Sequence, residues 1–271
     1  MIDEQTYWNS IGARAWIEMQ AVVDEMFKPF TELLVEGVTG QVLDVGCGTG
    51  GTTLAASRHL GTNGHAVGID ISEPLVAAAQ GRAAHERTPA RFIHGDAQTY
   101  AFQPAAFDRV ISRFGVMFFD DPVRAFANLR RAARGRAAMG FVCWRSEAEN
   151  AWLTTAERAA APLLPSIPPR RSDGPGAFAF ADRQRLSRVL EDSGWSDIDI
   201  RPIDITCSLP ETELVRYFTK IGPLGRVFHE ADDRVRARVI DVVRAAFDPF
   251  VKGEEVQFPA ACWLALPRLL R

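Results

Sequence analysis

Between Gln41 and Trp144 the sequence alternates short apolar runs with stretches of helical periodicity, and few architectures accommodate that order. The runs are QVLDVG, GHAVGIDIS, ARFIHGDA (a strand expected to end at Asp96), the segment Phe107 to Ser112, and RAAMGFVCW. Between them lie a helix expected from Gly50 to Leu60, the helix EPLVAAAQGRAAHE, and the helix DDPVRAFANLRRAAR. Ser72 is placed to cap the second of these, with Pro74 in its first turn. The third has acids at its start and arginines at its end, as the helix dipole favours. Strands apolar along their length are buried on both faces, which calls for a parallel sheet covered by helices on each side. Right-handed crossovers make such a sheet doubly wound. With 271 residues and 47% hydrophobic content, the chain can bury a core of that size.

The flanks read differently. Ile11, Ala15, Met19, Val22, Val23, Met26, Phe27 and Phe30 recur at helical steps, so a helix is expected from Ile11 to Val35, kinked or split at Pro29. After Trp144 come a helix in AENAWLTTAERAAAPLL and the Pro- and Gly-dense loop PSIPPRRSDGPG, of lid or binding-loop length. The helix FADRQRLSRVLEDSGW closes at Gly194. DIDIRPIDITCSL alternates as a strand, two helices follow (about Glu211 to Lys220 and Asp232 to Phe247), and VQFPAACWLALPR is a final strand. These two strands are expected to extend one edge of the sheet.

Net charge is −3, so no global basic field favours nucleic acid. No run of about 18 apolar residues marks a membrane span. MIDEQTYWNS lacks the basic and apolar regions of a signal peptide, and a cytoplasmic protein is expected. Cys47, Cys143, Cys207 and Cys262 are scattered, with no ligand spacing to a histidine, so no metal site is expected.

VLDVGCGTGG raises the chemical question. Gly46-x-Gly48-x-x-Gly51, with Asp70 further on at the end of the second strand, satisfies the dinucleotide fingerprint. Asp44 opposes that reading, because a carboxylate two residues before the first glycine repels pyrophosphate and attracts a cation. Asp96 is placed to accept a hydrogen bond from an exocyclic amine such as adenine N6. No Tyr-x-x-x-Lys pair for hydride transfer is present. A ligand with an amino-acid end, a ribose and an adenine, but no phosphate, suits all three acids.

On these residues the sequence resembles the class I S-adenosylmethionine (SAM)-dependent methyltransferases, in the small-molecule branch allied to ubiquinone and menaquinone biosynthesis. VLDVGCGTG is similar to their first motif, GIDIS to their second and HGDAQTYAF to their third-strand motif. The resemblance implies an α/β, Rossmann-like, doubly wound, seven-stranded and mostly parallel sheet with helices on both faces. It implies an N-terminal helical cap over the cofactor (1–40), a SAM-binding core (41–145), and lid helices with the last two strands (146–271). Gly46, Cys47 and Gly48 would lie against the methionine part, with Asp44 near its ammonium. Asp70 would take the ribose hydroxyls, Ile71 would pack on adenine, and Asp96 and the Ala97 backbone would take adenine N6. Ser112 and Arg113 would face the methionine end. Relatives often turn into the fifth strand through Pro-Gly-Gly, whereas AARGRAAM stands here, which leaves that turn open.

Trp8 reads either as an anchor of the first helix or as a ring over the sulfonium. Phe114 and Met117 follow the fourth strand and read as core or as substrate lining. His229 reads as an ordinary lone histidine or as a general base. The implied reaction is methyl transfer by direct displacement to a small, partly hydrophobic acceptor, oxygen preferred over carbon or nitrogen, with S-adenosylhomocysteine (SAH) as product. The expected form is a monomer or homodimer. A non-catalytic SAM-binding module and an NAD-dependent oxidoreductase stand as alternatives.

Overall fold

The computed structural model describes residues 4–170 and 174–268. Arg171, Ser172 and Asp173, part of the PPRRSDG stretch read as a solvated loop or a patch for an acidic substrate, lie outside the described residues.

The strands are β1 (Gly40–Val45), β2 (Gly64–Asp70), β3 (Arg91–His94), β4 (Phe107–Arg113), β5 (Ala133–Trp144), β6 (Ile200–Pro210), β7 (Val251–Lys252) and β8 (Glu255–Ala265). The helices are α1 (Glu4–Trp8), α2 (Ile11–Glu18), α3 (Gln20–Met26), α4 (Lys28–Val35), α5 (Gly51–Leu60), α6 (Glu73–Glu86), α7 (Pro122–Ala132), α8 (Ala151–Ala160), α9 (Arg183–Asp192), α10 (Leu214–Lys220), α11 (Gly222–Val227) and α12 (Asp233–Ala246). All pair into one sheet of order β3-β2-β1-β4-β5-β8-β6, with the two-residue β7 paired to β8 off that path. β1 to β5 are parallel, and β8 runs antiparallel to both β5 and β6. The doubly wound, mostly parallel sheet is as expected, with the short β7 added to the seven strands.

Some boundaries differ from expectation. The third strand stops at His94 and not at Asp96, because the Asp96 carboxylate accepts from the Gln98 backbone N–H at 2.9 Å and turns the chain there. The helix expected from Ile11 to Val35 is broken into α2, α3 and α4, at Met19 and at Phe27, the second break lying just before Pro29, and the short α1 precedes it. α7 gives way to β5 through a register shift in the β4–β5 pairing, with Arg136 left-handed at φ +73°. That irregularity replaces the Pro-Gly-Gly turn.

The core holds Phe30, Phe126, Phe141, Phe180, Phe218 and Phe258, all fully buried. Two polar side chains lock elements across it. Trp195 donates its indole N–H to the Phe126 carbonyl at 3.0 Å. Asn150, itself buried, donates to the Ala261 carbonyl at 2.8 Å and accepts from the Ala261 N–H at 2.9 Å, so a side chain pairs with β8 as a strand would. This fixes the start of α8 against the sheet.

Candidate functional site

Strand order reverses between β1 and β4, and ligands of open α/β sheets bind outside the strand C-termini at that point. Gly46 turns the chain out of β1 at φ +67°, and a Cβ there would lie 2.7 Å from the Gly115 Cα. Glycine is required by both facts, and the β1 and β4 loops consequently touch. Gly46 N–H and Cys47 N–H both donate to the Ile69 carbonyl, at 2.9 and 3.1 Å.

Asp44 sits beneath this turn at 1% exposure and accepts from the Thr53 hydroxyl at 2.6 Å. Burial pushes its carboxyl up to about 7, against the opposing pull of the Thr53 hydrogen bond and the Arg113 charge. A cation beside it would restore ionisation. Cys47 is buried and its thiol is raised well above its ordinary range by desolvation, so it is no nucleophile.

Asp70 ends β2. One carboxylate oxygen accepts from Gly48 N–H at 2.8 Å and the other from Ser72 N–H at 2.9 Å, which ties the glycine turn to the second strand. Burial raises its carboxyl and these two N–H donors oppose the rise. Ile71 is half-buried beside it, and its carbonyl accepts from Asn9 Nδ2 at 3.2 Å. Ala97 is buried, its carbonyl held by Asn128 at 2.9 Å, so Asp96 is presented from a fixed turn.

The N-terminal segment closes over these strand ends. The Ser72 hydroxyl donates to the Trp8 carbonyl, and Asn9 accepts from Glu73 N–H at 3.0 Å. The Trp8 ring meets Phe118 edge-on at 5.6 Å and Trp16 at 6.0 Å. The lid side joins the same cap: the Arg226 guanidinium lies 3.7 Å over the Tyr7 ring, Lys220 pairs with Glu18, and Arg216 donates to the Glu18 carbonyl at 2.8 Å.

Two residues escaped the sequence reading. Asp24 pairs with Arg82 at 2.9 Å and Arg113 at 3.2 Å, and its carboxylate occupies the space that a Cβ on Gly51 would need, at the N-terminus of α5. Arg82 also donates to the Thr49 carbonyl at 2.8 Å. Three residues far apart in sequence thus join the cap, the glycine loop and the end of β4. No motif spacing marks them.

The expected methionine-end contacts resolve unequally. Arg113 reaches the network above and Thr31, at 2.9 Å. Ser112 is fully buried, donates to the Val45 carbonyl at 2.7 Å and accepts from Gly115 N–H at 3.2 Å, so its hydroxyl braces β1 against β4. Phe114 is half-buried with φ +62°, a strained value for a bulky residue, and stacks on Trp144 at 4.2 Å. Met117 is 2% exposed and packs in the hydrophobic core. His229 is exposed on the turn after α11, and its carbonyl accepts from Arg236 at 3.3 Å. Among the described residues, no carboxylate or carbonyl hydrogen-bonds its ring.

Residues 42–135 match the family model described as a methyltransferase domain. An uncharacterized protein of Mycobacterium tuberculosis is 31% identical over 130 residues, 46% of each chain. The demethylmenaquinone methyltransferase of Shouchella clausii is 36% identical over 93 residues, 34% of this chain and 40% of that one. The chain therefore spans less than half the length of these relatives. The solved phosphoethanolamine N-methyltransferase 2 of Haemonchus contortus, bound to SAH, shares the fold with a TM-score of 0.59 and 16% identity, over 99% of this chain and 59% of that one. The matched segment resembles a methyltransferase domain, and the fold is shared with the solved methyltransferase. The resemblance runs from Val42 to Gly135, and the demethylmenaquinone methyltransferase is similar over a segment of about the same length. No helix among the described residues is long and apolar enough to cross a membrane.

Proposed function

We propose that the chain transfers the methyl group of SAM to a small, partly hydrophobic acceptor, with oxygen the preferred atom. The observation that carries this is the trio of Asp44 near the end of β1, Asp70 at the end of β2 and Asp96 in the turn after β3, on neighbouring strands and beside a glycine turn held by Asp70 itself. A sulfonium supplies an activated methyl and a good leaving group. The protein's share is alignment and exclusion of water. Buried Asp44 holds the ammonium, Asp70 turns from its backbone donors toward the ribose hydroxyls, and Asp96 accepts the adenine amine. Trp8 and Trp16 cover the reacting end. An acceptor beside Phe114 is held against rings, and transfer by alignment needs no dedicated base. The Shouchella relative's name refers to a quinone, and a flat, oxygen-bearing ring suits the Phe114–Trp144 wall.

Calorimetric titration with SAM, SAH and NAD in parallel tests the reading. Binding of the first two and silence from NAD is expected, because Asp44 faces where a pyrophosphate would lie. Binding of NAD alone refutes it. Methyl transfer from labelled SAM to phenolic, amine and carbon acceptors then separates an enzyme from a binding module.

A further inference from the structure

Among the described residues, one buried aromatic donor has no hydrogen-bond partner. It belongs to Trp152, on α8, which is 3% exposed and whose indole Nε1–H meets no acceptor among the described residues. Buried N–H groups are nearly always paired, so an orphan of this kind calls for a reason. The ring is held firmly. It stacks on Phe258 at 3.7 Å and 20°, and stands edge-on to Trp144 at 5.6 Å and 76°. Asn150 fixes the first turn of the helix to β8 two residues earlier. A phenylalanine would keep the stacking and avoid the stranded donor. Neither of the two rings packed against it, Phe258 and Trp144, offers an acceptor oxygen.

Trp152 is also close to the reacting end. Trp144 stacks face-on with Phe114, and Phe27 touches both, at 5.2 and 5.9 Å. The rings therefore run from the end of β4, where Phe114 is partly open, to Trp152. α11 packs on α8, and the Arg226 guanidinium lies over the Tyr7 ring, so lid and cap meet beside α8.

We propose that Trp152 donates its indole N–H to an oxygen of the methyl acceptor and so selects flat, apolar molecules that carry a carbonyl or hydroxyl group. This rests on the methyltransferase reading above. Trp152 is a specificity residue, and the closed structure shows its donor before the acceptor arrives.

The test compares α-tetralone with tetralin, two bicyclic probes of nearly the same shape, with and without a carbonyl oxygen. Both are titrated into the SAH-loaded protein. The ketone is expected to bind about fivefold or more tightly than the hydrocarbon. Trp152→Phe should erase that preference, leave SAH affinity unchanged, and keep or raise Tm, since it removes a stranded donor. In a ¹⁵N–¹H spectrum, the indole signal missing from Trp152→Phe should move downfield when α-tetralone binds to the wild type. A preference that survives Trp152→Phe overturns the proposal. So does an upfield indole proton that α-tetralone leaves in place, which would mean that the N–H rests on the Trp144 face, and so does failure of both probes to bind the SAH complex. Absence of SAH binding overturns the methyltransferase reading itself, and this proposal with it.

Discussion

Burial holds the Asp44 carboxyl near a pKa of about 7, whereas the same group in an unfolded chain titrates near 3.8. The unliganded protein therefore carries a proton on Asp44 below neutrality. A cationic ligand requires that proton to leave. SAM affinity should rise with pH until pH passes about 7 and then level off, with nearly one proton released on binding at pH 6. Titrations in buffers of different ionisation enthalpy measure that release directly, and its absence would remove Asp44 from the ammonium contact. The stability consequence has the opposite sense. A raised acid contributes stability that is complete below about pH 4 and lost as pH climbs through about 7. Asp44→Asn should therefore melt no lower than wild type at pH 8 while binding SAM far more weakly. Asp70→Ala removes the acceptor shared by Gly48 and Ser72, and should weaken SAM by roughly 2–3 kcal/mol, measured by calorimetry. The three acids were legible in the sequence because each ends an apolar run. Asp24 and Arg82 were not, since their meeting depends on how α3 and α6 pack, which no local spacing encodes.

At the scale of elements, strands were easier to read than the helices around them. The five parallel strands announced themselves by hydrophobicity, whereas the periodicity of the N-terminal segment runs unbroken through Met19 and Phe27, where the structure interrupts it. Those breaks are made by contact with β4 and the lid, a tertiary effect invisible to a periodic pattern. α11 and β7 are too short to carry a period at all. The cap and lid meet through Glu18, Arg216, Lys220, Tyr7 and Arg226. Arg226→Ala combined with Glu18→Ala should loosen that latch without touching the strand-end acids. Stopped-flow fluorescence should show SAH leaving several-fold faster, with Tm only slightly lowered, since exposed pairs contribute little to stability. An unchanged release rate would mean that the latch does not gate the site.

For the molecule as a whole, the matched segment at 42–135 is not a separable unit. β5 belongs to it for only its first residues, and the Phe141 to Trp144 end of that strand pairs with Ala265 to Cys262. β8 and β6 are then bonded to each other along their whole length. One cooperative calorimetric transition is expected for the intact chain. A fragment ending at Trp144 should expose the β5 edge and aggregate. Fold class was readable from sequence because the alternation is periodic. That β8 rather than β6 would lie beside β5 was not, because the two strands have similar composition and only their packing decides the order. The inserted antiparallel strand has a kinetic consequence. The partner of Phe141 lies 124 positions later, at Ala265, so a newly made chain holds an unfinished sheet until its β8 segment has been synthesised. Non-local pairing of this kind is slow. During that interval the nascent protein presents an apolar seam, and its yield in a cell should depend on chaperone supply more steeply than its melting temperature would suggest.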